Sequence, residues 1–172
     1  MFKVYVGGLK QGKPLEVVRS IPPESSLWDG TGLPFRDDVR VEATLTATAS
    51  GQILVQGHAD GVIHGECRRC LEPLEHDLHV PFEVVWSPPD LLGDAETVDD
   101  GVYPLEPGES EVDLGEVLRE EVILTAPEFL VCREDCLGLC PTCGSNRNDI
   151  DCNCTQEEPD PRWSALRALK RD

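Results

Sequence analysis

Residues 39–49 read VRVEATLTATA, and their alternation decides the class of fold. Val39, Val41, Ala43, Leu45, Ala47 and Ala49 share one parity. Arg40, Glu42, Thr44, Thr46 and Thr48 share the other. Successive side chains of a strand point to opposite faces, so a period of two gives one aliphatic face and one polar face. Ser50 and Gly51 then supply a turn. Residues 52–66, QILVQGHADGVIHGE, return as a second strand, with Gly57 or Gly61 as places for a bulge. After CRRC at 67–70, the stretch 71–86 puts Leu74, His76, Leu78, Val80, Phe82 and Val84 on one parity. Three long strands therefore form an antiparallel meander, with CRRC near its second connection.

Outward from the meander the signals are shorter. FKVYV at 2–6 and PLEVVR at 14–19 read as short strands around a glycine-rich turn. Prolines and glycines break residues 20–38 into a loop, with Leu27, Trp28 and Phe35 packing back onto the body. Residues 87–112 are acidic and proline-rich and read as a long loop, with Val102, Tyr103 and Leu105 as a short edge strand. DLGEVLREEVILTAP at 113–127 is the best helix. Asp113 caps it, Glu116 completes a capping box, and Pro127 ends it. Leu114, Val117, Leu118, Glu121 and Val122 share one stripe. A second helix is expected at DPRWSALRALK, 160–170, with Asp160 as cap and Pro161 at the first position.

The fold class is therefore α+β: an antiparallel β-rich domain, open or barrel-like, with a packed helix at 113–125. It fills residues 1–127. Residues 128–172 form a small cysteine-rich tail with the closing helix. The tail has few apolar residues and cannot build a core, so a metal has to staple it.

The 172 residues carry a net charge of −18. Residues 71–135 hold 19 acidic side chains against two arginines, Arg119 and Arg133. Such a surface repels phosphate and is not the footprint of a general nucleic-acid binder. No apolar run is long enough to span a bilayer, and the start MFKVYVGGLKQG is not a signal peptide. A cytoplasmic setting follows, in which eight cysteines favour metal over disulfides.

Six of those cysteines lie in CREDCLGLCPTCGSNRNDIDCNC, 132–154. Cys140 and Cys143 in CPTCG form a zinc-knuckle pattern, with Gly144 giving the turn room. The other two ligands stay open among Cys132, Cys136, Cys152 and Cys154, with at least one cysteine surplus. A further arrangement borrows Cys67 and Cys70 and fills two four-thiolate sites. Four thiolates leave no open position for substrate, so the zinc is structural. CRRC lacks a following glycine. It reads as a turn with a second thiol pair, or as a basic tip in which Arg68 and Arg69 meet a phosphate or an acidic surface.

His58, His64, His76 and His79 lie among the strands, and none sits in a compact ligand spacing with a carboxylate. There is no Walker loop, no GxGxxG and no HExxH. Nothing supports an enzyme, and no small-molecule substrate is implied.

GECRRCLEP at 65–73, the 113–127 helix, the cysteine-rich tail and DPRWSALRALK, in that order, resemble the YceD-like family, the large ribosomal RNA subunit accumulation proteins of bacteria and plastids. The resemblance covers residue 39 to the C-terminus. It implies a non-enzymatic accessory role in large-subunit biogenesis, supporting accumulation or processing of the large-subunit ribosomal RNA. The implied partner is a ribosomal protein or assembly factor. Members that keep the counterparts of Cys67 and Cys70 without the tail cysteines imply a zinc site closed within 132–154. The alternative partner is ribosomal RNA itself, met by Arg68, Arg69, Arg162, Arg167, Lys170 and Arg171.

Overall fold

The computed structural model describes residues 2–92 and 101–154. The closing helix expected at 160–170, and with it Arg162, Arg167, Lys170 and Arg171, lies outside the described residues. The chain divides into two compact units. The first runs to Gly65 and resumes over Leu74–Glu128; the second joins Glu66–Pro73 to the chain from Phe129.

The first unit contains β1 (Lys3–Tyr5), β2 (Leu15–Ile21), β3 (Val39–Ala47), β4 (Ile53–Glu66), β5 (Pro73–Ser87), β6 (Val102–Pro104), β7 (Glu111–Asp113) and α1 (Leu114–Thr125). One sheet has the order β2-β3-β4-β5-β6, and β1 and β7 form a separate ribbon. The alternation in β3 is obeyed closely: Val39, Val41, Ala43 and Leu45 are buried, while Arg40 and Thr44 are exposed. Across β4 they meet Ala59, Gly57 and Val55. On β5 the buried set is Leu78, Val80, Phe82, Val84 and Trp86; His76 shares the parity but is exposed.

The structure decides three points that the sequence leaves open. The sheet is open rather than barrel-like: β2 and β6 are its edges, and the β1–β7 ribbon does not join them. β1 does not turn back onto β2. It pairs with β7, Val4 opposite Val112. Gly57 is not a bulge, because the β3–β4 register is unbroken from Arg40↔Asp60 to Ala47↔Ile53. A Cβ at Gly57 would fall 2.7 Å from Phe82 Cζ and against the Glu42 carbonyl, so the glycine makes room for the Phe82 ring. The short strand expected near Val102 is the parallel edge β6, with Val85 opposite Val102.

Helix α1 begins where the sequence places its cap. Asp113 Oδ1 accepts from the Gly115 N–H at 2.9 Å and from the Phe2 N–H at 3.2 Å. Glu116 is exposed, and among the described residues it makes no capping-box bond back to Asp113. The backbone of Asp113 is instead in register with Lys3. Leu114, Val117, Leu118 and Val122 are buried. Arg119 donates to the carbonyls of Leu27 (2.5 Å) and Asp29 (2.6 Å). That fixes the turn at Ser26–Trp28 and with it the buried Trp28–Phe35 pair, whose ring centroids are 4.8 Å apart.

Gly57→Val should lower stability by about 2 kcal/mol through overpacking against Phe82, measured as a fall in the thermal midpoint. An unchanged midpoint would mean that Phe82 does not fill this space.

Candidate metal centre

The second unit is built on two turns of the same design. In the CRRC turn the Cys67 N–H donates to the Glu72 carbonyl at 2.8 Å, and the Leu71 N–H to the Cys67 carbonyl at 2.8 Å. In the CPTC turn the Cys140 N–H donates to the Ser145 carbonyl at 2.8 Å, and the Gly144 N–H to the Cys140 carbonyl at 2.8 Å. Both turns end on a left-handed residue, Gly144 at φ 74° and Leu71 at φ 62°. Gly144 adopts this conformation without strain. Leu71 does so at a cost of about 1–2 kcal/mol. The CRRC segment is therefore a second knuckle whose glycine position holds a leucine.

The tail packs directly on the CRRC knuckle. The Arg68 N–H donates to the Leu130 carbonyl (2.8 Å), and the Leu139 N–H to the Arg69 carbonyl (2.9 Å). Arg69 Nη1 donates to the carbonyls of Glu134 (2.7 Å) and Cys136 (3.2 Å). The Arg68 guanidinium lies 3.3 Å from the centroid of the Phe129 ring. Both arginines stay exposed, but each is already engaged by the tail.

These contacts bring the sulfurs together in two sets of four. Cys67, Cys70, Cys132 and Cys136 make one, and Cys140, Cys143, Cys152 and Cys154 the other, each with its sulfurs within 4.8 Å of one another. Cys67 and Cys136 sulfurs are 3.9 Å apart, and Cys70 and Cys132 sulfurs 3.7 Å. A tetrahedral ion with metal–sulfur bonds of about 2.3 Å holds its sulfurs about 3.8 Å apart. A disulfide would bring them to about 2.05 Å, and all eight cysteines are free. Two clusters are thus positioned to hold a metal ion. This differs from a single site closed within 132–154. Cys132 and Cys136 group with Cys67 and Cys70, Cys152 and Cys154 both join the CPTC knuckle, and no cysteine is surplus.

Neighbouring groups pull individual sulfurs in opposite directions. Main-chain N–H groups, led by that of Cys132, draw the Cys67 thiol down to about 6. The Ser145 hydroxyl, 3.3 Å away, leads in drawing Cys143 down to about 6. Contact with the Cys143 sulfur, with burial adding to it, pushes Cys154 up to about 12. At neutral pH each cluster therefore mixes thiolate and thiol, and an entering cation has to expel the remaining protons.

One grouping was not visible in the strand histidines. His79 Nδ1 lies 2.6 Å from Asp60 Oδ1, and His58 Nε2 lies 3.3 Å from Asp60 Oδ2, on the exposed face of β4 and β5. Strand pairing alone brings the two histidines onto one carboxylate. His79 is exposed and His58 and Asp60 are half-buried, so the group reads as a surface polar cluster.

Loading a metal-free chain with a soft divalent cation in weak buffer should release protons. Loading should also weaken steadily as the pH falls from 9 towards 6, the range between an ordinary thiol and Cys67 or Cys143. Loading that is independent of pH across that range would exclude thiolate ligation.

Residues 55–170 match the family model described as large ribosomal RNA subunit accumulation protein YceD. An uncharacterized protein of Mycobacterium tuberculosis is 34% identical over 129 residues, 75% of this chain and 58% of that protein. A Zea mays protein named large ribosomal RNA subunit accumulation protein YCED homolog 1, chloroplastic, is 27% identical over 152 residues, 73% of this chain and 52% of that protein. The Arabidopsis thaliana protein of the same name is 33% identical over 64 residues, 37% of this chain and 20% of that protein. The chain spans little more than half the length of the mycobacterial relatives it matches. No solved structure matches it. On the family match across 55–170, the chain belongs to the YceD family of large ribosomal RNA subunit accumulation proteins.

Proposed function

We propose that this chain is a non-enzymatic accessory factor in large ribosomal subunit biogenesis. It supports accumulation or processing of the large-subunit ribosomal RNA through contacts with a ribosomal protein or assembly factor. The family match over residues 55–170 carries this reading. The preference for protein contacts rests on charge. A net charge of −18 repels a phosphate backbone and suits a basic partner. The engagement of Arg68 and Arg69 within their own unit also argues against their serving as a free RNA-binding tip. Among the described residues no helix is long and apolar enough to cross a membrane. Eight free cysteines suit a reducing compartment such as the cytoplasm.

A strain lacking the gene should accumulate less large-subunit RNA relative to small-subunit RNA. The tagged protein should co-sediment with immature large-subunit particles. A normal RNA ratio together with no particle association would reject the role. A complex with naked ribosomal RNA that survives moderate salt would favour direct RNA binding instead.

Zinc is the ion proposed for the two clusters. Four thiolates at this spacing suit its tetrahedral preference, and a closed thiolate shell gives it a structural role. The purified chain should carry two zinc ions. Cys70→Ser and Cys143→Ser should each remove one, as measured by elemental analysis and native mass spectrometry. A chain with one ion, or with iron and sulfide, would overturn this assignment.

A further inference from the structure

The two clusters are alike in ligands and unlike in shelter. Cys67, Cys70 and Cys136 are at most 6% exposed, and only Cys132 of that set is open to solvent. In the other set Cys140 alone is buried, Cys152 is half-buried, and Cys143 and Cys154 are exposed. The surrounding chain differs in the same sense. The sheltered cluster lies where Arg69 and Leu139 bind tail and knuckle together. Two of its sulfurs also accept hydrogen bonds, Cys136 from Asn148 Nδ2 at 3.3 Å and Cys67 from the Cys132 N–H at 3.4 Å. Around the open cluster, among the described residues, the backbone of 151–154 donates no hydrogen bond to another main-chain carbonyl, and the Cys154 N–H faces the Cys152 sulfur. Cys152 and Cys154 are therefore held mainly through their sulfurs.

We propose that the open cluster is an oxidation site, in which a hydroperoxide joins Cys143 to Cys154 and releases the zinc ion while the sheltered cluster keeps its own. The inference rests on the zinc reading above. The two thiolate sulfurs together give up two electrons and form one S–S bond. The O–O bond takes those electrons and breaks, leaving two hydroxides from hydrogen peroxide, or one hydroxide and one alkoxide from an organic hydroperoxide. The ion, reduced from four thiolate ligands to two, dissociates. Cys143 and Cys154 are the pair concerned because both face solvent, where the oxidant arrives. Their sulfurs already lie within 4.8 Å of each other.

The test uses the full chain loaded with zinc and treated with hydrogen peroxide, with a chromophoric chelator reporting free zinc and peptide mass mapping locating disulfides. One equivalent of zinc should leave at least tenfold faster than the second, and the first disulfide should map to Cys143–Cys154. Dithiothreitol with added zinc should restore two ions per chain. A Cys143→Ser variant that carries one zinc should show no fast release. Two ions leaving together, or a first disulfide drawn from Cys67, Cys70, Cys132 or Cys136, overturn this proposal alone. A chain that carries no zinc before peroxide is added overturns the metal reading and this one with it.

Discussion

Four sulfurs packed within 4.8 Å of one another impose an electrostatic constraint. Ionised together they repel strongly at such range, and protonated together they give only weak hydrogen bonds. A divalent cation resolves the conflict, because it replaces thiol protons with four short bonds and leaves the sulfurs at the spacing found here. This constraint falls on the second unit. Its chain is short of aliphatic side chains, and several it has, Leu137 and Ile150 among them, are exposed. Hydrogen bonds from Arg68, Arg69 and Leu139 place the strands of chain beside each other, but their net worth is modest. The sulfur clusters complete a structure that a hydrophobic core does not supply.

The first unit is organised by the opposite means. Its sheet buries one face of β3, β4 and β5, and α1 adds Leu114, Val117, Leu118 and Val122 to the buried set. Among its described residues no acidic side chain is buried. An arrangement of this kind separates tasks: a conventional packed body carries the charge, and a thiolate-built unit carries the arginines of the CRRC turn.

Much of this was legible in the chain. The period of two in 39–49 and 74–84 survives in the burial of β3 and β5, since each strand has one covered face. Asp113 and Pro127 bracket α1 because both act locally. CPTCG was readable because Gly144 supplies the left-handed position itself. CRRC was readable only as a thiol pair that one arrangement borrows for a second site, because Leu71 occupies that position against its own preference, and the turn is held by hydrogen bonds that leave no mark on composition. The partnership of Cys67 and Cys70 with Cys132 and Cys136 is likewise non-local, spanning 62–69 residues. The pairing of β1 with β7, and the meeting of His58 and His79 on Asp60, depend on tertiary neighbours in the same way.

The β1–β7 ribbon has a consequence for the order in which the chain can assemble. Lys3 pairs with Asp113, and the cap of α1 takes one of its donors from Phe2. During synthesis at roughly 5–20 residues per second, the amino-terminal segment emerges about 5–20 s before its partner exists. The meander can form in that interval, since its neighbours are adjacent in sequence. The β1 segment is thus placed after the meander, and the start of α1 is completed only when it returns.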